Sequence, residues 1–264
     1  MSLLRHPILH LILLTYASLT SANANVIFSE DFESEPVIGA TPSKASAFRP
    51  KVNELGQVVI VVGQKHNIAG SANAVYMQDK SQESICLEYD FVDSSDSQIS
   101  ALRIDFSFAQ SGINETKSDK LYFGAGAYSG ENSSRMNANS NRYLQLEFID
   151  TNELKINTES GKDKTIKIAQ IAKNTISVIV NDYDNKQIEY ISPADGKKAV
   201  LAANMAAYYL NDVLVHETNL DLDNETSSGT VGTSENNFGR MGFYSSTKSD
   251  NNGWMFDDFK VSKL

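Results

Sequence analysis

Near the C-terminus, the run F-G-R-M-G-F-Y spaces an arginine and a tyrosine four residues apart, with a glycine midway between them. Alternate side chains of a β-strand point to opposite faces, so Met241 and Phe243 are expected to face the core. Arg240 and Tyr244 then share the other face, where Gly242 leaves room for a sugar ring. The spacing predicts a polar, glycan-sized surface on this strand.

Arginine and tyrosine are residue types suited to β-elimination in a uronate-containing polysaccharide. Arginine binds the C6 carboxylate through two parallel hydrogen bonds and so acidifies the C5 proton. Tyrosine, histidine or lysine can remove that proton and protonate the leaving oxygen. The predicted catalytic residues are Arg103, Arg142, Arg240 and Tyr244, with His66 as an additional base. The alternative is that Arg240 and Tyr244 form a polar outer face with no catalytic role.

Three further runs place polar or aromatic side chains opposite core positions. In A-L-R-I-D-F-S-F, Arg103, Asp105 and Ser107 alternate with apolar residues, and R-Y-L-Q-L-E-F follows the same pattern. In L-Y-F-G-A-G-A-Y the two tyrosines share a face with two glycines, which would clear space beside them. The predicted substrate-binding residues are Tyr122, Tyr128, Tyr143, Gln145 and Glu147.

These positions must be held by strands, and short alternating runs fill the chain from Asn25 onward. A dozen or more runs at intervals of about ten residues predict an all-β sandwich or barrel. No run keeps a helical period over several turns. Only five prolines occur and no low-complexity linker interrupts the chain, so residues 25–264 are interpreted as one domain.

Two hairpins are predicted from turn residues. One joins S-V-I-V-N to Q-I-E-Y-I through Asp184, Asn185 and Lys186. The other joins A-A-Y-Y-L to V-L-V-H-E through Asn211 and Asp212, residues that tolerate left-handed backbone conformations.

The first 24 residues predict a signal peptide: an apolar run at 8–19 precedes Ala22-Asn23-Ala24, a typical cleavage site. With one cysteine, Cys86, the domain has no internal disulfide, so we expect a bacterial secreted or periplasmic protein held by its core. The net charge of −10 argues against nucleic acid or an anionic membrane as partner. It still permits an anionic polysaccharide bound in a local basic cleft. We expect a monomer with no membrane insertion and no organic cofactor.

The hairpin Y-L-N-D-V-L-V resembles the Y-x-N-G-x-L-V hairpin of laminin-G-like, concanavalin A-like jelly rolls, with Asp212 in place of glycine. The runs R-M-G-F-Y-S and W-M-F-D-D-F-K-V are similar to the closing strands of that family. The middle segment is similar to secreted bacterial members. The resemblance implies a two-sheet antiparallel jelly-roll sandwich.

The same resemblance carries two functional expectations. Jelly-roll polysaccharide lyases have a late tyrosine, which Tyr244 would match, and an ulvan-type enzyme fits best because the strands typical of alginate lyases are absent. A glucanase mechanism is disfavoured, since Glu147 and Asp150 fall on opposite faces of their strand. The competing hypothesis is a non-catalytic carbohydrate-binding or cell-surface adhesion module.

The resemblance also implies a structural calcium ion. Termini of such jelly rolls lie side by side in one sheet, which would bring two acidic runs together. Carboxylate oxygens are the ligands that calcium prefers. The predicted ligands are Glu30, Asp31, Glu33, Asp257 and Asp258.

Overall fold

The computed structural model describes residues 25–35, 37–42, 49–51, 56–63, 68, 70–80, 84–90, 99–111, 119–126, 143–158, 163–169, 172–220, 238–245 and 250–264. The signal peptide predicted for residues 1–24 lies outside them. The described residues form seventeen strands and no α-helix. The strands are β1 Asn25–Glu30, β2 Arg49–Lys51, β3 Gly56–Val62, β4 Asn73–Asp79, β5 Cys86–Asp90, β6 Ala101–Gln110, β7 Lys120–Gly126, β8 Leu144–Ile149, β9 Glu153–Ile156, β10 Lys164–Lys167, β11 Asn174–Asn181, β12 Ile188–Ile191, β13 Lys198–Leu201, β14 Met205–Leu210, β15 Val213–Asn219, β16 Arg240–Ser245 and β17 Trp254–Lys263.

Two large antiparallel sheets contain fifteen of these strands. An eight-stranded sheet has the order β15-β14-β11-β6-β17-β4-β3, with β1 also pairing β17. A seven-stranded sheet has the order β10-β9-β8-β7-β16-β5-β2. The pairing of β1 with β17 confirms that the two ends of the domain lie side by side.

Aromatic side chains from both sheets fill the space between them. Phe243 of the seven-stranded sheet stacks on Phe256 of the eight-stranded sheet, with ring centroids 4.0 Å apart. Phe106 contacts both rings, and Trp254 is fully buried. Burial of each such ring stabilises the fold by roughly 2–3 kcal/mol. The core positions predicted for the last two strands are therefore confirmed.

The hairpin at Asn211 and Asp212 is confirmed, and both residues have the positive φ angles, 49° and 62°, of a tight two-residue turn. The hairpin predicted at residues 184–186 is wrong. Strand β12 leaves β11 and pairs with β13, and this two-stranded unit packs on the outer face of the eight-stranded sheet. Its Tyr190 hydroxyl lies 2.8 Å from that of Tyr209 on β14.

Within the part of the chain that is described, no helix is long and apolar enough to cross a bilayer.

Candidate functional site

The outer face of the seven-stranded sheet brings together most of the predicted polar residues that the structure describes. On β16, Arg240, Gly242 and Tyr244 alternate with the buried Met241 and Phe243, as the sequence predicts. Strands β5 and β7 flank β16 on either side. The composition of this face therefore depends on the register between neighbouring strands as well as on the alternation of side chains along β16.

Glu88 on β5 occupies the space beside Arg240 and Gly242. Its Cα pairs with that of Gly242, and its Oε2 lies 4.0 Å from Arg240 Nη1. A Cβ on Gly242 would lie 2.7 Å from the Leu87 carbonyl oxygen and 2.8 Å from Glu88 Cγ. The open floor predicted at Gly242 is thus wrong, because the glycine allows Glu88 to pack against the backbone. Arg240 is only 5% exposed.

Tyr244 and Tyr122 form a stacked pair on adjacent strands. Their rings are nearly parallel, 10° apart in plane, with centroids separated by 5.1 Å. Cys86 completes the cluster on the other side of Tyr244, where it behaves as the small buried residue expected. Tyr244 is buried, whereas Tyr122 is half-buried. The accessible aromatic surface of the pair therefore belongs mainly to Tyr122.

Next to Tyr122, Glu147 on β8 is the centre of a polar cluster. Its carboxylate lies 2.5 Å from Lys120 Nζ and 3.4 Å from Lys155 Nζ, and it accepts a 2.9 Å hydrogen bond from Asn157 Nδ2. Burial alone would raise the pKa of Glu147, but the hydrogen bonds from Lys120 and Asn157 and the two ammonium charges lower it below its ordinary value. Glu147 is therefore ionised at neutral pH.

Gln145 and Lys155 extend this polar cluster along and across the strands. Gln145 is half-buried and pairs with Gly124, two residues from Glu147 on the same face. Lys155 also lies 2.7 Å from Asp163. Three neighbouring strands, β7, β8 and β9, thus carry a tyrosine ring, an amide, a carboxylate and ammonium groups on one face.

Two predicted site residues lie elsewhere. Arg103 is on the outer face of the eight-stranded sheet, where its Nε lies 2.8 Å from Asp105 and its Nη2 contacts Ser177. Alternation along β6 correctly predicted that Arg103 points away from the core, but β6 belongs to the eight-stranded sheet. Tyr143 lies in the hydrophobic core against Phe238 instead of on the binding face, because it precedes the first residue of β8.

Three further candidates, His66, Tyr128 and Arg142, lie outside the described residues.

The acidic residues predicted to bind calcium have other contacts. Glu30 and Asp31 accept hydrogen bonds from the backbone N–H groups of Phe32 and Glu33, and Glu33 accepts from those of Ala72 and Asn73. Asp258 contacts Lys173 Nζ at 2.7 Å and Ser107 Oγ at 2.8 Å. No three histidine, cysteine or acidic side chains converge among the described residues.

Asp257 differs from the other four. It is fully buried, and neither carboxylate oxygen meets a well-aligned donor among the described residues. Burial raises its pKa to about 7, and the nearby Ser71 hydroxyl offsets only part of that shift. A cation beside Asp257 would stabilise its ionised form, and calcium binding stays a prediction.

Sequence reasoning missed Glu88, Lys120 and Lys155. Glu88 could have been recognised as the outward residue of L-E-Y, because it alternates with buried Leu87. Its position over Gly242 depends on the pairing of β5 with β16, which no local pattern specifies. Lys120 and Lys155 reach Glu147 because β7 and β9 pair with β8, and no local sequence pattern specifies those pairings either.

No family model and no curated protein matches the sequence. Solved structures do match. The fold is similar to that of a sialidase, with a TM-score of 0.57 and 9% identity over 91% of this chain, which spans 19% of that protein. The cellulose induced protein Cip1 gives a TM-score of 0.53 at 12% identity, covering 90% of this chain and 97% of that one.

The carbohydrate recognition domain of Emp47p gives a TM-score of 0.52 at 9% identity, covering 92% of this chain and 99% of that domain. Identities this low establish architecture alone. The chain has the two-sheet antiparallel jelly-roll fold of concanavalin A-like proteins.

Proposed function

We propose that the chain is an exported carbohydrate-binding module whose glycan site is the outer face of β16, β7, β8 and β9. The stacked tyrosine pair beside Gln145 and the Glu147 cluster carries this proposal. Sugar rings bind through aromatic contact together with hydrogen bonds to fixed polar groups, and both are present here. Two structural neighbours, a carbohydrate recognition domain and a sialidase, are consistent with a glycan ligand.

The contacts of the two predicted catalytic arginines that the structure describes favour binding over β-elimination. Catalysis by elimination requires a cation that can neutralise the carboxylate of a uronate. Arg240 is buried beside Glu88, and Arg103 contacts Asp105 on the opposite sheet. Tyr244, the expected base or acid, is 3% exposed and stacked on Tyr122. These contacts suit a rigid binding face better than a catalytic cleft.

Substitutions on and off the face test the binding proposal. Tyr122→Ala and Gln145→Ala should each weaken glycan affinity, by about tenfold for the tyrosine, since aromatic anchors dominate such contacts. Tyr183→Ala is the matched control, because Tyr183 is a half-buried tyrosine packed beside the β12–β13 unit. Affinity gel electrophoresis against a panel of soluble polysaccharides measures all three.

A parallel assay separates binding from cleavage. The protein is incubated with ulvan, alginate and polygalacturonate, and ultraviolet absorbance reports any unsaturated uronate. We expect no increase in absorbance. An increase that Tyr244→Phe abolishes in a folded protein would replace the binding proposal with β-elimination.

A further inference from the structure

We infer that the glycan recognised by this face is uncharged, an inference that rests on the proposed function and narrows its ligand class. The observation behind it is the balance of charge on the outward side of strands β7 to β10 and β16, where Glu88 of β5 also contributes. An acidic polysaccharide would require cations whose charge is not already matched there by protein carboxylates.

Each outward-facing cation described on β7, β9, β10 and β16 has its own carboxylate. Arg240 pairs with Glu88 at 4.0 Å, and Lys120 pairs with Glu147 at 2.5 Å. The remaining pairs, Lys155 with Asp163 and Lys167 with Glu153, are both separated by 2.7 Å. Four cations and four carboxylates leave this part of the face with no net charge.

Burial makes the pairing around Glu147 hard to reorganise. The Glu147 side chain is 6% exposed, and its lowered pKa keeps it ionised. A uronate drawn towards Lys120 or Lys155 would meet the Glu147 and Asp163 carboxylates within the same cluster. Like charges at such distances disfavour binding, and the acidic whole protein adds long-range repulsion.

Sugar hydroxyl groups can bind the same cluster without the repulsion between carboxylates that a uronate would meet. A hydroxyl can accept from the ammonium groups of Lys120 and Lys155, which are partly exposed and are held in place by the buried Glu147 carboxylate. The amide of Gln145 offers a further donor and acceptor on the same strand. The half-buried Tyr122 ring supplies an apolar contact for the C–H face of a sugar.

Binding of the full-length domain to neutral and acidic polymers tests the inference. The neutral probes are soluble β-glucan, arabinan and mannan, and the acidic probes are alginate and polygalacturonate. We expect at least one neutral polymer to bind about tenfold or more tightly than either acidic polymer at low salt. We also expect that affinity to change little at high salt, because screening acts on charge pairs between protein and ligand.

Glu147→Gln provides the sharper measurement. It removes the carboxylate that holds Lys120 and Lys155 in place, so neutral-polymer affinity should fall about tenfold because the two ammonium groups are no longer positioned to donate to sugar hydroxyls. Affinity for alginate should rise and become sensitive to salt. Glu189→Gln is the control, because it makes the same chemical change in an exposed pair with Lys198, 2.9 Å apart, on the β12–β13 unit away from the face. This control should change neither affinity.

The outcomes distinguish the two proposals. Tighter binding of alginate or polygalacturonate by the unaltered protein overturns the inference and leaves the binding module intact. Failure to bind any of the five polymers overturns both. Should Glu147→Gln fail to fold, the salt dependence of the unaltered protein decides the question alone.

Discussion

On the outer face of the seven-stranded sheet the ion pair on the central strand β16 is buried, whereas the described ion pairs of the eight-stranded sheet are exposed to solvent. The Arg240 and Glu88 side chains are 6% and 10% exposed, compared with 30% and 23% for Arg103 and Asp105. On the second face Lys173 is 28% exposed, much like Arg103, and its partner Asp258 is 47% exposed. Exposed pairs contribute little to stability, but a buried charge depends strongly on its partner.

The two faces also differ in what covers them. The β12–β13 unit packs on one end of the eight-stranded sheet through Tyr190, Ile188 and Leu201. Ile68 packs near the other end against Ala109 and Met255. Similar residue types on the two faces therefore do not imply similar roles. The seven-stranded sheet presents a polar cluster on its outer face, whereas part of the outer face of the eight-stranded sheet is covered by the β12–β13 unit.

The largest expected effect concerns Gly242. Gly242→Ala should destabilise the domain by about 3 kcal/mol, because the added Cβ meets the Leu87 carbonyl and the Glu88 backbone, which cannot rotate away. Gly196→Ala is the control: Gly196 has a φ of 68° and open space around it, so only backbone strain of about 1 kcal/mol applies. Urea denaturation measures both, and equal losses would contradict close packing of Glu88 on β16.

The second prediction compares the two arginine pairs. Glu88→Gln should cost about 2 kcal/mol, because it removes the negative charge from beside a buried guanidinium while keeping the side-chain shape. Asp105→Asn should cost less than about 1 kcal/mol, because Arg103 remains hydrated. The comparison fails if the two unfolding free energies change by the same amount.

The third prediction uses opposite pKa shifts on the two faces. Burial raises the pKa of Asp257 to about 7, so the folded state holds a proton that the unfolded state releases. That stabilisation is lost as pH rises through about 7. Glu147 has a lowered pKa, so its stabilisation is present above its ordinary value of 4.5 and is lost as pH falls through the lowered pKa. From these two groups, the free energy of unfolding should be greatest near or below about pH 4 and should fall as the pH rises from 3.8, the ordinary pKa of Asp257, to about 7.

Two variants test which residue causes the fall in stability at higher pH, the upper limb, and which causes the fall at lower pH, the lower limb. Asp257→Asn should flatten the upper limb, whose slope for one group is at most about 1.4 kcal/mol per pH unit. A smaller contribution remains from Asp150, whose pKa burial raises to about 6. Glu147→Gln should alter only the lower limb. An upper limb unchanged by Asp257→Asn would show that Asp257 does not titrate there.

The smallest expected effect is that of calcium. Calcium at Asp257 should raise the melting temperature by a few degrees, since a ligand that binds only the folded state stabilises it. Asp257→Asn should remove the effect, whereas Asp31→Asn should change it less because Asp31 already accepts a backbone hydrogen bond. A melting temperature indifferent to both calcium and chelator would rule out the ion.

Alternation made most strands predictable. Met205–Leu210 was located to the residue, and Met241, Phe243, Trp254, Phe256 and Phe259 were correctly assigned to the core. The turn at Asn211 was also predictable, because Asn and Asp tolerate the positive φ angles that both turn residues adopt. These features are local, so a single strand or turn contains the information that fixes them.

The sheet to which each strand belongs could not be obtained in this way. Arg103 and Arg240 carry equivalent local patterns, yet β6 and β16 lie in different sheets and the two arginines face opposite sides of the molecule. Glu88 fills the space above Gly242 for a related reason, since its neighbour across the sheet is set by strand order. By itself the sequence determined strand positions, the composition of the core and one hairpin. Only the tertiary structure decided which charges meet, because ion pairing depends on contacts between residues far apart in the chain.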